Sequence, residues 1–332
     1  MSAKPKIALF LGGTSPEREV SKSSAASIYK TLTGLGYETI LIDPAYGKNQ
    51  PDKPEDFFSK EDYSVLSTKN YLDACSLPQL NNIDLVFLAL HGKYGEDGTI
   101  QSLLELKGLK YTGSKVLSSA LSMDKTMSKV LFKEYNVNTP KGFTISDKNL
   151  SPKIIAEKIN DELSYPCVIK PNDQGSTVGL TVCKNDNDVE AAMKHAFIFS
   201  DKVLIEEFIA GREMTVAVIE DKAFPVLEIK PKHGLYDYEC KYTSGMSEYE
   251  VPAKIPDDVA AELQSQALLA FKALDCSSYA RVDFRLSENN KPYCLEVNSL
   301  PGMTATSLVP KMAKAVGISF DQLIERIIQI SL

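Results

Sequence analysis

The sequence predicts an open α/β domain followed by smaller α+β units, and three observations predict it. An apolar strand, Lys6 to Leu11, runs into a glycine loop and then a helix with Ala25, Ala26, Ile28, Tyr29 and Leu32 at helical spacing. A later apolar run, Ile83 to Leu90, ends the same way, in His91-Gly92-Lys93-Tyr94-Gly95-Glu96-Asp97-Gly98. Near the C-terminus, Tyr279 to Thr304 reads as two strands around a polar turn.

Taken in order, Tyr37 to Ile42 is the second strand of the first domain. Ligand sites in open α/β sheets lie beyond the carboxyl ends of the strands, so both glycine loops occupy the expected place. Neither loop matches GxGxxG or a P-loop, which argues against a dinucleotide. Asp43 to Leu77, rich in Pro, Asp, Lys and Ser, reads as an excursion from the domain and carries no legible chemistry. A boundary is expected near Ser114 to Met123. Asp124 to Tyr135 is a helix with Lys125 in its first turn. A small α+β unit follows: strand Gly142 to Ile145, a helix opened by Ser151-Pro152, and strand Cys167 to Lys170. That last strand enters Pro171-Asn172-Asp173-Gln174-Gly175-Ser176-Thr177-Val178-Gly179. A lysine at a strand end before a Gly/Ser/Thr loop suits phosphate oxygens, and an ordinary hairpin turn would look similar.

Val203 to Phe208, Met214 to Ile219 and Phe224 to Ile229 are further strands, with Glu206 and Glu207 closing the first of them. His233 to Gly245 is tyrosine-rich and glycine-bounded, which fits either a lid or a loop folded on its own aromatics. Ala260 to Leu274 is an amphipathic helix, and Leu308 to Val316 and Phe320 to Ile330 end the chain as helices.

The chemistry concentrates in the 279–304 hairpin. Arg281, Asp283 and Arg285 alternate with Val282, Phe284 and Leu286, so the polar set shares one face. After the turn Ser287 to Lys291, Leu295 and Val297 fall on the apolar side and Glu296 and Asn298 on the polar side. Antiparallel pairing would set Asp283 opposite or nearly opposite Glu296. Carboxylates so close repel, and a hard divalent cation that also takes phosphate oxygens offsets the cost. The competing reading is a merely solvated hairpin face.

Composition narrows the class. The chain has 332 residues, 43% of them hydrophobic, enough for two or three domains, and a formal net charge of -7. It has no basic tract, which argues against nucleic acid as a partner. No apolar run reaches the roughly 20 residues that would predict membrane insertion. The six cysteines include no CxxC pair. A cytoplasmic protein without disulfides or zinc is the economical expectation.

The motifs carry a specific resemblance. GGTSPEREVS at 12–21, HGKYGEDGTIQ at 91–101, YTGS at 111–114, SALSMDK at 119–125 and KPNDQGSTVG at 170–179 occur in family order. GREMTV at 211–216, DYECKYTSG at 237–245, RVDF at 281–284 and EVNSLPGMTATSLVP at 296–310 continue it. The chain resembles the ATP-grasp superfamily and, within it, the D-alanine–D-alanine ligases. The resemblance implies an N-terminal open α/β (pre-ATP-grasp) domain at 1–120, a central ATP-grasp lobe at 121–209 and a C-terminal lobe at 210–332, with nucleotide bound between the two lobes. Asn172-Asp173-Gln174 is a local variation that leaves Lys170, Gly175, Ser176 and Gly179 in place.

The implied reaction phosphorylates one D-alanine with ATP and joins it to a second, for peptidoglycan precursors. By the same resemblance, Asp283, Glu296 and Asn298 would hold two Mg²⁺ ions, replaceable by Mn²⁺, with Glu296 shared between them. Lys125 and Lys170 would meet the α- and β-phosphates, and Lys241 the γ-phosphate. Glu206, Glu207, Phe208 and Ile209 would receive adenine, and Glu213 the ribose. Glu17 would bind the first ammonium and His91 orient its carboxylate. Arg281 and the Gly302 N–H would stabilise the acyl phosphate and oxyanion, while Ser307 and Leu308 would hold the second carboxylate. Ser176, Tyr242 and Glu17 would link the phosphate loop, lid and first-substrate site. A homodimer is expected. D-lactate or D-serine acceptors, or another dipeptide, are the alternative products, and the retained tyrosine-containing lid favours D-alanine. An idle nucleotide-binding protein would be expected to lack one of Lys241, Arg281, Asp283 or Glu296, and all four are present.

Overall fold

The computed structural model describes residues 4–232 and 245–332, so Lys241 and Tyr242 lie outside the described residues. The first sheet has three strands in the order β2-β1-β3, all parallel: β1 (Ile7–Phe10), β2 (Thr39–Ile42) and β3 (Leu85–Leu88). Every residue of β1 and β3 is buried, which explains why both read as unbroken apolar runs rather than alternating ones. The helix Arg18–Gly34 follows the first glycine loop and buries Ala25, Ile28 and Leu32.

Segment 43–77 is not an excursion. It forms the short helices Pro54–Phe57 and Asn70–Ala74, and it buries Ala45, Phe57, Tyr71 and Ala74 in the same core as β1 and β3. Its apolar residues are too sparse to show a period, so their common burial is visible only once the chain has closed on itself.

The second sheet is antiparallel, in the order β4-β7-β5-β6: β4 (Gly142–Ile145), β5 (Cys167–Pro171), β6 (Thr181–Cys183) and β7 (Val203–Glu207). Helices Pro152–Glu162 and Val189–Phe197 bury Ile155, Ile159, Ala192 and Ala196 in a core shared with it. The Gly/Ser/Thr loop is the connection between antiparallel β5 and β6, so the hairpin and phosphate-loop readings describe one segment.

The third sheet has six strands, ordered β11-β10-β8-β12-β13 with β9 beside β8. Its strands are β8 (Arg212–Ile219), β9 (Lys222–Ala223), β10 (Leu227–Pro231), β11 (Ser247–Glu250), β12 (Tyr279–Leu286) and β13 (Pro292–Asn298). Helix Asp257–Ala273 packs Leu263, Ala267, Ala270 and Phe271 onto it, at the spacing of one helical face. Helix Lys125–Glu134 joins this core as well, through Phe132. The last helices, Leu308–Ala315 and Phe320–Gln329, return to the first core with Met312, Leu323 and Ile327.

Pairing of β12 with β13 sets Arg281 opposite Asn298 and Asp283 opposite Glu296. The register then slips, and Phe284 faces Cys294. This bulge adds one residue to β13 and corrects the expectation for Leu295. Cys294 and Val297 go into the core, while Leu295 joins Glu296 on the opposite face. Five cysteines are free thiols, and Cys240 is outside the described residues. Among the described residues no helix is long and apolar enough to cross a membrane.

Candidate functional site

Two clefts meet where the second and third sheets face each other. The first has a cavity volume of about 130 Å³ and is open to solvent. Val168, Leu180, Val182 and Leu295 give it apolar walls, and Glu207, Phe208, Ile209 and Glu213 form its rim. Lys125, Lys170, Asp283 and Glu296 also line it. The bulge thus puts a leucine where a flat aromatic group would find an apolar surface, and sequence periodicity pointed it the other way.

The lysines are held by carboxylates. Lys125 Nζ lies 3.0 Å from Glu296 Oε2 and donates to the Gln174 carbonyl at 2.7 Å. Lys170 and Lys129 both pair with buried Glu206, the second at 2.8 Å. Burial works against charge on Glu206, but the two ammoniums outweigh it and hold its carboxyl below the usual carboxylate range. Burial pushes Lys129 down, partly offset by Glu206. Lys129 was missed in the sequence. The available signal was its place one helical turn after Lys125 on the same helix.

Glu207 lies at the end of β7, where its carboxylate accepts the Lys141 N–H at 2.9 Å. Arg285 is a second missed residue. Its guanidinium donates to the carbonyls of Ile209 at 3.1 Å and Gly211 at 2.7 Å, stands 3.5 Å from Glu213, and lies over the Phe208 ring. It staples the link between β7 and β8. The alternation placed it beside Asp283, but nothing local showed what it would meet.

The β5–β6 loop carries Ser176 at φ 51° and Thr177 at φ 65°. Left-handed geometry on a β-branched residue is a backbone outlier of the kind that clusters at ligand clamps. Gly179, at φ 72°, permits the close return: a Cβ there would stand 2.6 Å from Pro171 Cγ and 2.8 Å from Phe199.

On β12, Arg281 grips Asp283 with two hydrogen bonds, 2.8 and 2.7 Å. Thr215 donates to Asp283 Oδ1 at 2.7 Å, and the Asn298 amide to Oδ2 at 2.9 Å, which leaves the Asn298 oxygen as its remaining acceptor. Among the described residues no cluster of three or more His, Cys, Asp or Glu side chains forms a metal cage. Two facing carboxylates and an amide oxygen are instead the partial, all-oxygen set that Mg²⁺ takes when phosphates complete its shell, so the donors fit such an ion.

The second cleft is lined by Glu17, His91, Arg281, Gly302, Ser307 and Leu308, and it shares Gly175 with the first. Ser176 donates to Glu17 Oε1 and closes the phosphate loop onto the first glycine loop. His91 is buried, with Nε2 at 3.1 Å from Ser24 Oγ and Nδ1 at 3.5 Å from Glu96. Burial disfavours its charge, yet the hydrogen bond and charge of Glu96, with the charge of Glu17, raise its pKa. Ser307 stands at the N-cap position of helix Leu308–Ala315, its hydroxyl accepting the Thr304 N–H at 3.0 Å, and that N-terminus opens on this cleft, a natural seat for a carboxylate. Anion-accepting and ammonium-accepting groups therefore face each other across the second cleft, with the Arg281–Asp283 pair between it and the first.

The chain is similar to known proteins over nearly its whole length. Residues 6–114 match the family model described as D-ala D-ala ligase N-terminus, and residues 131–329 match D-ala D-ala ligase C-terminus. A D-alanine–D-alanine ligase of Halalkalibacterium halodurans is 41% identical over 332 residues, covering 98% of this chain and 99% of that protein. A Bacillus anthracis D-alanine–D-alanine ligase solved in complex with ATP superposes at TM-score 0.78 with 30% identity, covering 99% of this chain and 97% of that one. The VanG D-Ala:D-Ser ligase of Enterococcus faecalis gives TM-score 0.83 at 30% identity, covering 99% of this chain and 100% of that one.

Proposed function

The chain belongs to the D-alanine–D-alanine ligase family, and from that premise we infer that it joins two D-alanines into D-alanyl-D-alanine, converting ATP to ADP and phosphate, for peptidoglycan precursor synthesis. The observation that carries this reading is the pair of clefts sharing Gly175, with Asp283 lining one and its partner Arg281 lining the other. A carboxylate is a poor electrophile with a poor leaving group, and phosphorylation removes both obstacles. The ATP γ-phosphate passes to the first D-alanine carboxylate, giving an acyl phosphate. The neutral amine of the second D-alanine then attacks its carbonyl carbon, and the tetrahedral adduct expels phosphate.

In this proposal Glu17 binds the first ammonium, and His91 sets the electrostatics behind the first carboxylate. Lys125 and Lys170 take the α- and β-phosphates, exchanging their carboxylate partners for phosphate oxygens. Asp283, Glu296 and Asn298 would hold the divalent cations, two Mg²⁺ or Mn²⁺, with Glu296 the expected shared ligand, and these ions when bound would neutralise phosphate charge. Arg281 faces the transferring group, and with the Gly302 N–H it supports the oxyanion. Ser307 and the N-terminus at Leu308 hold the second carboxylate. Adenine lies against Leu295 within the span Glu206 to Ile209. The Glu206 carboxylate is already held by two lysines, which shifts base recognition to its neighbours. Glu213 takes the ribose. Lys241 and Tyr242 complete the γ-phosphate and lid contacts on the strength of the sequence motif alone. Domain limits of 1–120, 121–209 and 210–332, a homodimer, and a cytoplasmic location belong to the same reading.

The test is phosphate release with ATP, Mg²⁺ and D-alanine, D-serine or D-lactate, alone and in pairs, with products identified by mass. D-alanyl-D-alanine should dominate and rise from pH 6 to about 8 as the acceptor amine loses its proton. A D-alanyl-D-serine product, or D-alanyl-D-lactate at pH 6 to 7, would overturn the acceptor assignment. Glu296→Gln should nearly abolish turnover with the fold intact, because a neutral amide is a poor bridge between cations. Unchanged turnover at limiting Mg²⁺ would remove Glu296 from the metal site.

A further inference from the structure

The loop that presents Glu17 is held by side chains from segment 43–77. The Thr14 N–H donates to the Tyr71 hydroxyl at 3.1 Å, and the Gly13 N–H to Asp43 at 3.0 Å. Tyr71 fills the space above Gly13, whose Cβ, if present, would lie 2.8 Å from its oxygen. Its ring also stands edge-on to Tyr94 at 6.0 Å, so one buried phenol touches both glycine loops of the second cleft. Arg18, next to Glu17, donates to the Gly13 carbonyl at 2.7 Å and pairs with Asp43 at 2.7 Å. Asp62 braces that arginine at 2.8 Å and Lys22, one turn further along the helix, at 3.3 Å. Opposite charges thus pin the first turns of the Glu17 helix to a segment that makes no contact with either cleft of its own.

We propose that Tyr71 and Asp62 are positioning residues for the first-substrate subsite: they clamp loop 12–17 so that Glu17 meets both Ser176 and the substrate ammonium. This rests on the function inferred above. A hydroxyl removed from Tyr71 frees the Thr14 N–H and the space over Gly13, and the loop then samples positions in which Glu17 is misaimed. The nucleotide cleft meets this loop only through the Glu17–Ser176 contact, so it should respond less than the first-substrate subsite.

Tyr71→Phe and Asp62→Asn should each raise the apparent D-alanine KM about fivefold, the equivalent of about 1 kcal/mol, with a clearly smaller change in the ATP KM. Asp62→Glu should restore it. In a Glu17→Gln background, Tyr71→Phe should add nothing further, because its effect runs through that carboxylate. The same fivefold loss in that background, or an ATP KM that rises equally, would overturn the proposal. Amide exchange reads the clamp without turnover: Thr14 protection should fall in Tyr71→Phe while β5 and β6 keep theirs. Unchanged Thr14 protection overturns the clamp even in an active ligase. Absence of dipeptide from the unaltered protein overturns the function, and the subsite role with it.

Discussion

Glu206→Gln should destabilise the protein and, at the same time, make its stability more responsive to ATP. The glutamate is 2% exposed and lies between Lys170 and Lys129, itself 2.8 Å away. Glutamine keeps the shape and removes the charge, leaving two buried ammoniums with no counterion between them. Each pair at about 4 Å between charge centres is worth about 4 kcal/mol at an effective dielectric of 20. Relaxation and the amide oxygen recover part of that, and breaking a buried pair costs about 3–5 kcal/mol in practice. At about 2–4 °C per kcal/mol for a unit of roughly 200 residues, the apparent Tm should fall by roughly 6–20 °C. ATP brings negative charge to Lys170, so the Tm gain on adding it should exceed that of the unaltered protein. The pH dependence has a definite sign. Glu206 has a depressed folded pKa, so its stabilisation is complete above its unfolded value, about 4.3, and is lost as pH falls through the lower folded value. That acid-side loss should be absent from the glutamine variant. Thermal unfolding between pH 3 and 8, with and without ATP, reads both effects. A Tm within 2 °C of the unaltered protein would refute a charged Glu206 holding the two lysines.

Gly179→Ala should raise the ATP KM about tenfold or more and lower the Tm. Its φ of 72° is strained for alanine, and the added carbon meets the Pro171 ring, which its own backbone fixes, and the Phe199 ring; an ATP titration that overlays the unaltered protein would show that the loop tolerates another course. Leu295→Ala should weaken ATP binding by about tenfold, on the scale of one lost apolar contact surface, while thermal stability barely changes. A large Tm loss with unchanged ATP affinity would return Leu295 to the core side of β13.

The elements that could be read from the chain were those whose chemistry is local. Alternation from Arg281 to Leu286 follows from the two-residue period of a strand, and it survives intact in the buried and half-buried pattern of β12. Glycine loops after apolar runs mark strand ends for the same reason, since a left-handed turn and a buried strand are each specified within a few residues. Pairing of Asp283 with Glu296 was legible because one short turn joins their strands. What folding alone established was which distant groups meet. Ser176 reaches Glu17 across 159 positions of sequence, and Lys129 and Lys170 converge on a glutamate from separate elements. The bulge that turns Leu295 into the nucleotide cleft has no mark in the hydrophobic pattern, because an inserted residue moves the register without changing composition. Segment 43–77 shows the limit most clearly. Its sparse apolar and acidic residues are meaningless at short range, and they acquire a role only where β1, the Glu17 helix and Arg18 supply the other half of each contact.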